Sequence, residues 1–360
     1  MSTPPRPAFR MPAEFEPHAA TWIAWPHHAP DWPGKFPAIE FVYVEIVRAL
    51  ARSERVCILV PDARVRARAR RLLGKAAVPA GRIAFFTVPT DRSWTRDFGP
   101  IFVRRGPEVP RGARADSKDE VAITDWKFNA WAKYPNWRRD DAVNAWLAPR
   151  LRMRRFTPEV AGRRVVLEGG AIDVNGRGSL LTTEECLLSR KQARNPGLSR
   201  SQIEEVLGGY LGVKNVLWLG RGIAGDDTHG HVDDVARFTD PRTIAAAEEP
   251  NRRAANHAPL AGNLRRLSRM RDESGRPLRI VTLPMPGPLV YEGQRLPASY
   301  LNFYVANGSV LVPTFNDPRD RIALDTLARL FPSREVIGIH AVDLVWGLGT
   351  IHCLTQQQPM

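Results

Sequence analysis

The sequence predicts an α/β fold built from repeated strand-rich units, and three observations carry that expectation. Helical and strand patterns alternate as far as Val88. Beyond Asp97 the pattern changes to pairs of short apolar strands. Two of those pairs are joined through Asn-Gly dipeptides and continue alike, as Gly-Ser-Leu-Leu and Gly-Ser-Val-Leu.

In chain order, Ile39, Val42, Ile46, Val47 and Leu50 recur at helical spacing, and a strand follows from Arg55 to Val60. A short helix carrying Arg64, Arg66, Arg68, Arg70 and Arg71 is expected between Asp62 as N-cap and Gly74 as C-cap, then a strand from Arg82 to Val88. The strand pairs are Ile101 to Val103 with Val121 to Thr124, Ala171 to Val174 with Ser179 to Thr183, His231 to Phe238 with Thr243 to Ala246, and Leu301 to Val305 with Ser309 to Pro313. Asn175-Gly176 and Asn307-Gly308 suit tight hairpin turns that need positive φ. The pairs recur at a loose period of roughly 60 to 70 residues, giving four or five units of a radial or stacked repeat. Arg105 to Lys118 and Glu248 to Asn263, rich in Arg, Pro, Ala and polar residues, are expected as surface loops. No linker interrupts the pattern, so one domain is expected over residues 1–360.

The net charge of +14 and pI near 10.4 raise the possibility of a nucleic-acid partner. The densest basic cluster, however, is the Arg helix, which reads as a solvated face, and charge balance bears on solubility more than on fold. No nucleic-acid partner is expected. Met1 to Thr21 carries no apolar stretch of signal-peptide length, and no later run approaches the roughly 20 apolar residues of a membrane span. A soluble, cytoplasmic protein is expected. The three cysteines, Cys57, Cys186 and Cys353, form no C-x-x-C pair and suggest neither a disulfide framework nor a thiolate metal site.

Four segments have a composition unusual for a core: Trp94-Thr95-Arg96-Asp97, Leu167-Glu168-Gly169-Gly170, Asp226 to Asp233, and Gly347 to Cys353. Each supplies an acid, a base or a thiol. Alternation along a strand would put His231 and Asp233 on one face, with His229 if the strand extends that far. Cys57 lies in an apolar run and Cys186 in Glu-Glu-Cys-Leu-Leu, and both read as buried small hydrophobes. Cys353 follows a glycine-containing approach and is the candidate nucleophile, which needs a base or a positive partner; His231 fits that role. A rival reading takes His229, His231, Asp233 and Asp227 as the metal site of a metal-dependent amidohydrolase, although no second histidine cluster follows downstream. The Gly347-Leu348-Gly349 pair fails as a dinucleotide fingerprint because no βαβ unit can follow.

Taken together the four segments resemble the agmatine deiminase family, within the guanidine-modifying superfamily that also holds peptidylarginine and arginine deiminases. The likeness extends from Met11-Pro12-Ala13-Glu14 through Leu181-Thr182-Thr183-Glu184-Glu185-Cys186 and Glu292-Gly293-Gln294-Arg295 to Gln356-Gln357-Gln358-Pro359. It implies a five-fold pseudosymmetric α/β propeller of the pentein type, with the active site on its central axis. It also implies roles: Cys353 as nucleophile, His231 as general acid and base, Asp97 and Asp233 as carboxylates gripping the guanidinium, and Glu168 as the remaining acid, with Trp94 at the substrate. The implied reaction is hydrolysis of agmatine to N-carbamoylputrescine and ammonia, without metal or cofactor, in a homodimer; a peptidylarginine substrate is the alternative. Thr95, His229, Leu348 and Thr350 depart from the common family pattern and bear on substrate preference.

Overall fold

In the computed structural model, which describes residues 9–105 and 121–360, five mixed sheets of three or four strands carry the core. Each repeats one plan. A strand pairs antiparallel with a second, and the second pairs parallel with a third that is reached through a helix, as a parallel connection requires.

In the first sheet Thr355–Pro359 lies antiparallel to His18–Ala24, which is parallel to Arg55–Val60, with Ile83–Thr87 beyond. The second joins Ile101–Arg105, Val121–Thr124 and Arg154–Phe156, with Phe9–Arg10 on its edge. The third joins Asp173–Val174, Ser179–Thr183 and Asn215–Leu219; the fourth Ala236–Phe238, Thr243–Glu248 and Arg279–Pro284; the fifth Tyr304–Val305, Ser309–Thr314 and Glu335–His340. The middle strands are buried on both faces, which is why Val-Cys-Ile-Leu-Val and Val-Leu-Val read as unbroken apolar runs. Covering helices turn one stripe inward, as Phe36–Leu50 does with Ile39, Tyr43, Ile46, Val47 and Leu50.

One recurring feature positions the site. Just before the opening strand of each unit the chain makes a tight turn of helix or bend: Thr95–Phe98, Gly169–Ala171, Val232–Asp234, the stretch 299–302, and Ile351–Leu354. Asp97, Glu168, His231 with Asp233, Asn302 and Cys353 all stand in or beside these turns.

Several local expectations are corrected. Asp62 does cap its helix, accepting from the Val65 amide at 2.8 Å, but the helix runs through Gly74 to Lys75 and the left-handed residue is Ala77. The strand expected at Arg82 to Val88 is Ile83–Thr87. Asn307-Gly308 forms the tight turn without positive φ; glycine is needed because a Cβ at 308 would stand 2.7 Å from Ser53 Cβ. Asn175-Gly176 opens a longer loop in which Gly176 does take positive φ and the Asn175 side chain accepts from the amides of Arg177 and Ser179. Half of the loop expected at Glu248 to Asn263 is the helix His257–Leu267, anchored by buried Leu260 and Asn263. The loop expected from Arg105 to Lys118 lies, past Arg105, outside the described residues.

Candidate active site

His231 and Asp233 do not share a strand face, because the strand begins only at Ala236. Asp226 bends the chain instead. Its Oδ1 accepts from the Thr228 amide at 2.7 Å, and its Oδ2 from the amides of Gly230 and His231 at 2.6 and 3.1 Å. The wrapped loop sets His229 at φ 64 and Gly230 at φ 99, and delivers His231 just ahead of the turn Val232–Asp234.

His231 is buried between two acids, with Nδ1 3.8 Å from Asp97 Oδ1 and Nε2 3.8 Å from Glu168 Oε2. Gly170 makes the close approach possible: a Cβ there would stand 2.5 Å from His231 Nδ1 and 2.9 Å from Asp97 Oδ1. Asp97 is fixed by Trp131 Nε1, which donates to Oδ2 at 2.9 Å, and by the Gly170 amide on Oδ1 at 3.2 Å. Glu168 Oε1 accepts from Arg194 Nε at 3.0 Å, and both side chains are fully buried.

Cys353 sits in the short helix Ile351–Leu354, 5% exposed. Asn302 Nδ2 donates to its Sγ at 3.2 Å and to Asp234 Oδ1 at 3.0 Å, while Asn302 Oδ1 accepts from Thr350 Oγ1 at 2.7 Å and the His352 amide at 3.0 Å. Asp233 Oδ2 lies 3.8 Å from the sulfur and 2.7 Å from His352 Nδ1.

The thiol, Trp94, Asp97, Trp131, Asp227, Asp31, Arg92, Trp346, Leu348 and their neighbours line one cavity of about 300 Å³. Trp94 packs on Trp32 with ring centroids 5.3 Å apart. Both rings also crowd the glycines: a Cβ at Gly347 would stand 2.4 Å from Trp32 Nε1, and one at Gly349 would stand 2.8 Å from Trp94.

Burial pushes the Cys353 thiol well above its ordinary value, and the charges of Asp233, Asp234 and Asp97 push the same way. Burial also raises Asp97, to about 6, with Asp233 and Glu168 adding to the rise and His231 opposing it. For Glu168 burial is outweighed by Arg194 and His231, which hold it at about 2. Burial pulls His231 down, but Asp97, Cys186 and Glu168 outweigh it and leave the imidazole well above its ordinary value. These shifts favour a charged imidazole at His231 and a protonated thiol at Cys353.

All six expected residues, Asp97, Glu168, His231, Asp233, Cys353 and Trp94, gather here. The metal set of the rival reading does not. His229 Nε2 bonds Ser189 Oγ at 3.0 Å, and Asp227 is taken by Lys133 and Tyr134. Among the described residues the donor group that does converge is Glu168, Cys186 and His231, so Cys186, buried in an apolar cluster as expected, also lies close to the histidine. Of the departures from the family pattern, buried Thr95 accepts from the Ala24 amide at 2.7 Å, Thr350 supports Asn302, and Leu348 lines the cavity at φ 68. Sequence reasoning missed Glu14, Trp131, Arg194, Asn302 and His352. Glu14 and His352 lay in segments singled out for chemistry or family likeness, and Asn302 in one read only as a strand.

The family profile described as Porphyromonas-type peptidyl-arginine deiminase matches residues 10–359. The chain is 36% identical to an agmatine deiminase of Pseudomonas aeruginosa (strain LESB58), over 99% of this chain and 97% of that one. It is also 36% identical to an agmatine deiminase of Medicago truncatula, over 99% and 98%. The structure of the agmatine deiminase of Enterococcus faecalis matches with a TM-score of 0.87 at 33% identity, covering 100% of this chain and 98% of that one. A Cys-to-Ser variant of the C. jejuni agmatine deiminase, solved with substrate bound, matches with a TM-score of 0.83 at 28% identity, covering 98% and 96%. With acids, histidine and thiol assembled from separate units of a fold shared along the whole chain, this protein belongs to the agmatine deiminase family.

Proposed function

We propose that the chain hydrolyses agmatine to N-carbamoylputrescine and ammonia, with Cys353 as nucleophile and no metal. One observation carries the reading. Buried around the thiol, His231 Nδ1 and Nε2, Glu168 Oε2 and Asp233 Oδ1 find no hydrogen-bond partner within the protein. Buried polar groups are ordinarily satisfied, so the free carboxylate oxygens of Glu168 and Asp233 suit a planar cation whose edges carry N–H donors, and the uncommitted imidazole of His231 is left for proton transfer. Asp97, Asp233 and Glu168 face those donors and fix the guanidinium carbon beside Sγ. Asp31, whose Oδ2 is likewise without a partner, also lines the cavity and gives the terminal ammonium an acidic neighbour. A cavity of about 300 Å³ supports a small linear substrate over a peptide.

The chemistry follows from the charges. A cation entering among Asp97, Asp233 and Glu168 offsets the carboxylate field that holds the thiol protonated. The thiol then releases its proton to solvent, and the thiolate attacks the guanidinium carbon. His231, charged at rest, gives its proton to the departing nitrogen, so the C–N bond breaks and ammonia leaves an S-amidino intermediate. The imidazole, now neutral, takes a proton from water, the hydroxide adds to the same carbon, and the C–S bond breaks. As the urea carbonyl forms, the proton of the added hydroxyl replaces the one the thiol released, and Cys353 is regenerated as the thiol. The net change is agmatine plus water to N-carbamoylputrescine plus ammonia, a step on a route from arginine to putrescine. The five units are read as one catalytic domain, a pentein-type propeller arranged around this cavity.

The test is ammonia and carbamoyl-product formation from agmatine, free arginine and a blocked arginyl peptide, with chelator, by wild type and Cys353→Ala. Agmatine turnover that survives chelation and vanishes in the variant is expected. Preference for the peptide or arginine overturns the substrate assignment, and chelator-sensitive activity that tolerates the substitution overturns the nucleophile.

A further inference from the structure

Behind the carboxylates that face the cavity, a second group of buried charges has found partners within the protein. Glu14 accepts from Arg96 Nη2 at 2.9 Å, Arg237 Nη2 at 2.8 Å, the Val305 amide at 2.8 Å and His352 Nε2 at 2.9 Å. Arg237 Nε also donates to Asp173 at 3.0 Å, and Arg96 Nη1 to Gln357 at 2.7 Å. The other ring nitrogen of His352 meets Asp233 Oδ2 at 2.7 Å, and its backbone amide is held by Asn302. His352 thus spans from a scaffold acid to the acid beside the thiol, with 1% of its side chain exposed.

An ionised carboxylate only accepts, so both bonds require a ring N–H and His352 donates at both nitrogens. The consequence falls on Asp233. One of its oxygens is occupied by the ring, while the other, Oδ1, is buried without a partner. A carboxylate is planar, so fixing one oxygen fixes where the second points. An unheld carboxylate would have to be ordered on each binding event, and a held one meets the substrate already aligned.

We propose that His352 is a positioning residue: anchored on Glu14, it clamps Asp233 Oδ2 so that Oδ1 is presented to an N–H of the guanidinium. This rests on the reading that Asp233 grips the substrate. The electrostatics agree with the geometry. Burial pushes Asp233 up, yet the hydrogen bond and charge of His352 outweigh it and keep the carboxyl below its ordinary value, and Glu14 is held well below its own by Arg237, His352 and Arg96.

The two ring nitrogens can be tested apart. An asparagine amide occupies the place of Nδ1 and keeps a donor for Asp233, whereas a glutamine amide occupies the place of Nε2 and keeps the bond to Glu14. Agmatine affinity is measured by calorimetry in the Cys353→Ala background, where chemistry is blocked, with thermal unfolding alongside. His352→Asn is expected to bind within about threefold of the parent and His352→Gln at least about tenfold more weakly, as for loss of a bond to a charged group. The opposite order is what a purely structural support of Glu14 would give, and it overturns the clamp, as does equal behaviour of the two. A tenfold loss in His352→Asn is decisive whether or not the glutamine variant folds. Asp233→Asn serves as control: parental affinity there means that the reading of Asp233 as a substrate ligand has failed, and not the clamp alone.

Discussion

His231 and His352 are equally buried and each stands between two carboxylates, yet His231 has neither ring nitrogen hydrogen-bonded and His352 has both. An unsatisfied buried polar group costs about 1–3 kcal/mol, so a fold retains one where something other than the fold makes use of it. The pair therefore separates two jobs within one site. Proton transfer needs a ring whose nitrogens are free to meet the reacting atoms. Alignment needs a ring whose nitrogens are already committed.

The largest effect expected is at His231. His231→Gln should lower agmatine turnover about 10²- to 10⁴-fold with little change in KM, because proton transfer acts in the transition state. Near-normal turnover would remove the distinction between the two rings.

Next comes the support of Glu168. Arg194→Leu leaves a buried carboxylate without its partner, and about 3–5 kcal/mol of unfolding free energy should disappear in denaturant titrations at neutral pH. In the wild type Glu168 is held at about 2, below its unfolded value, so its contribution is present above the ordinary glutamate range and is lost as pH falls toward about 2. The variant should lack that acid-side loss. An unchanged pH profile of stability would show that Arg194 does not hold Glu168 ionised.

A smaller effect concerns pH. Asp97 offers the guanidinium a negative charge only when ionised, so agmatine affinity in Cys353→Ala should be complete above about pH 6 and fall below it, by up to about tenfold per unit. The indole of Trp131 opposes the rise at Asp97, so Trp131→Phe should move this limb to higher pH. Affinity that is flat between pH 5 and 7, a window set by ordinary carboxylate and histidine titration, would break the assignment of Asp97.

The smallest is at Leu348, held at φ 68 on the loop that leads to His352 and Cys353. Leu348→Gly removes a side-chain clash of about 1–2 kcal/mol but returns entropy to the unfolded chain, so a net gain of up to about 1 kcal/mol is expected from thermal unfolding. A loss would show that packing of the leucine outweighs its strain.

What was legible in the sequence follows the same division. Asp97, Glu168, His231, Asp233 and Cys353 stood out because they fall in short polar, Gly-rich segments between apolar strands, and composition records that locally. Glu14 and Asn302 work through bonds to residues of other units, and Arg194 through Glu168 at the start of its own unit and the Thr228 carbonyl of the next, contacts that their neighbours along the chain do not record. His352 was visible but read only as part of the nucleophile segment, since its role depends on Glu14 at the opposite end of the chain. The strand expected from His231 failed because the Asp226 carboxylate takes up the amides that a ladder would have used. The α/β alternation and the strand pairs held because burial on both faces imposes an apolar run that needs no distant partner to be recognised.

The first sheet is completed by Thr355–Pro359 lying against His18–Ala24, so its two halves come from opposite ends of the described chain. During synthesis the strand His18–Ala24 leaves the ribosome early and keeps one edge unpaired until residues 355–359 emerge. The thiol at position 353 appears only just before that edge is covered, after every carboxylate that will surround it. A nascent chain therefore carries the acids of the cavity without a reactive sulfur among them, and depends for most of its synthesis on whatever shields an open β-edge in the cell.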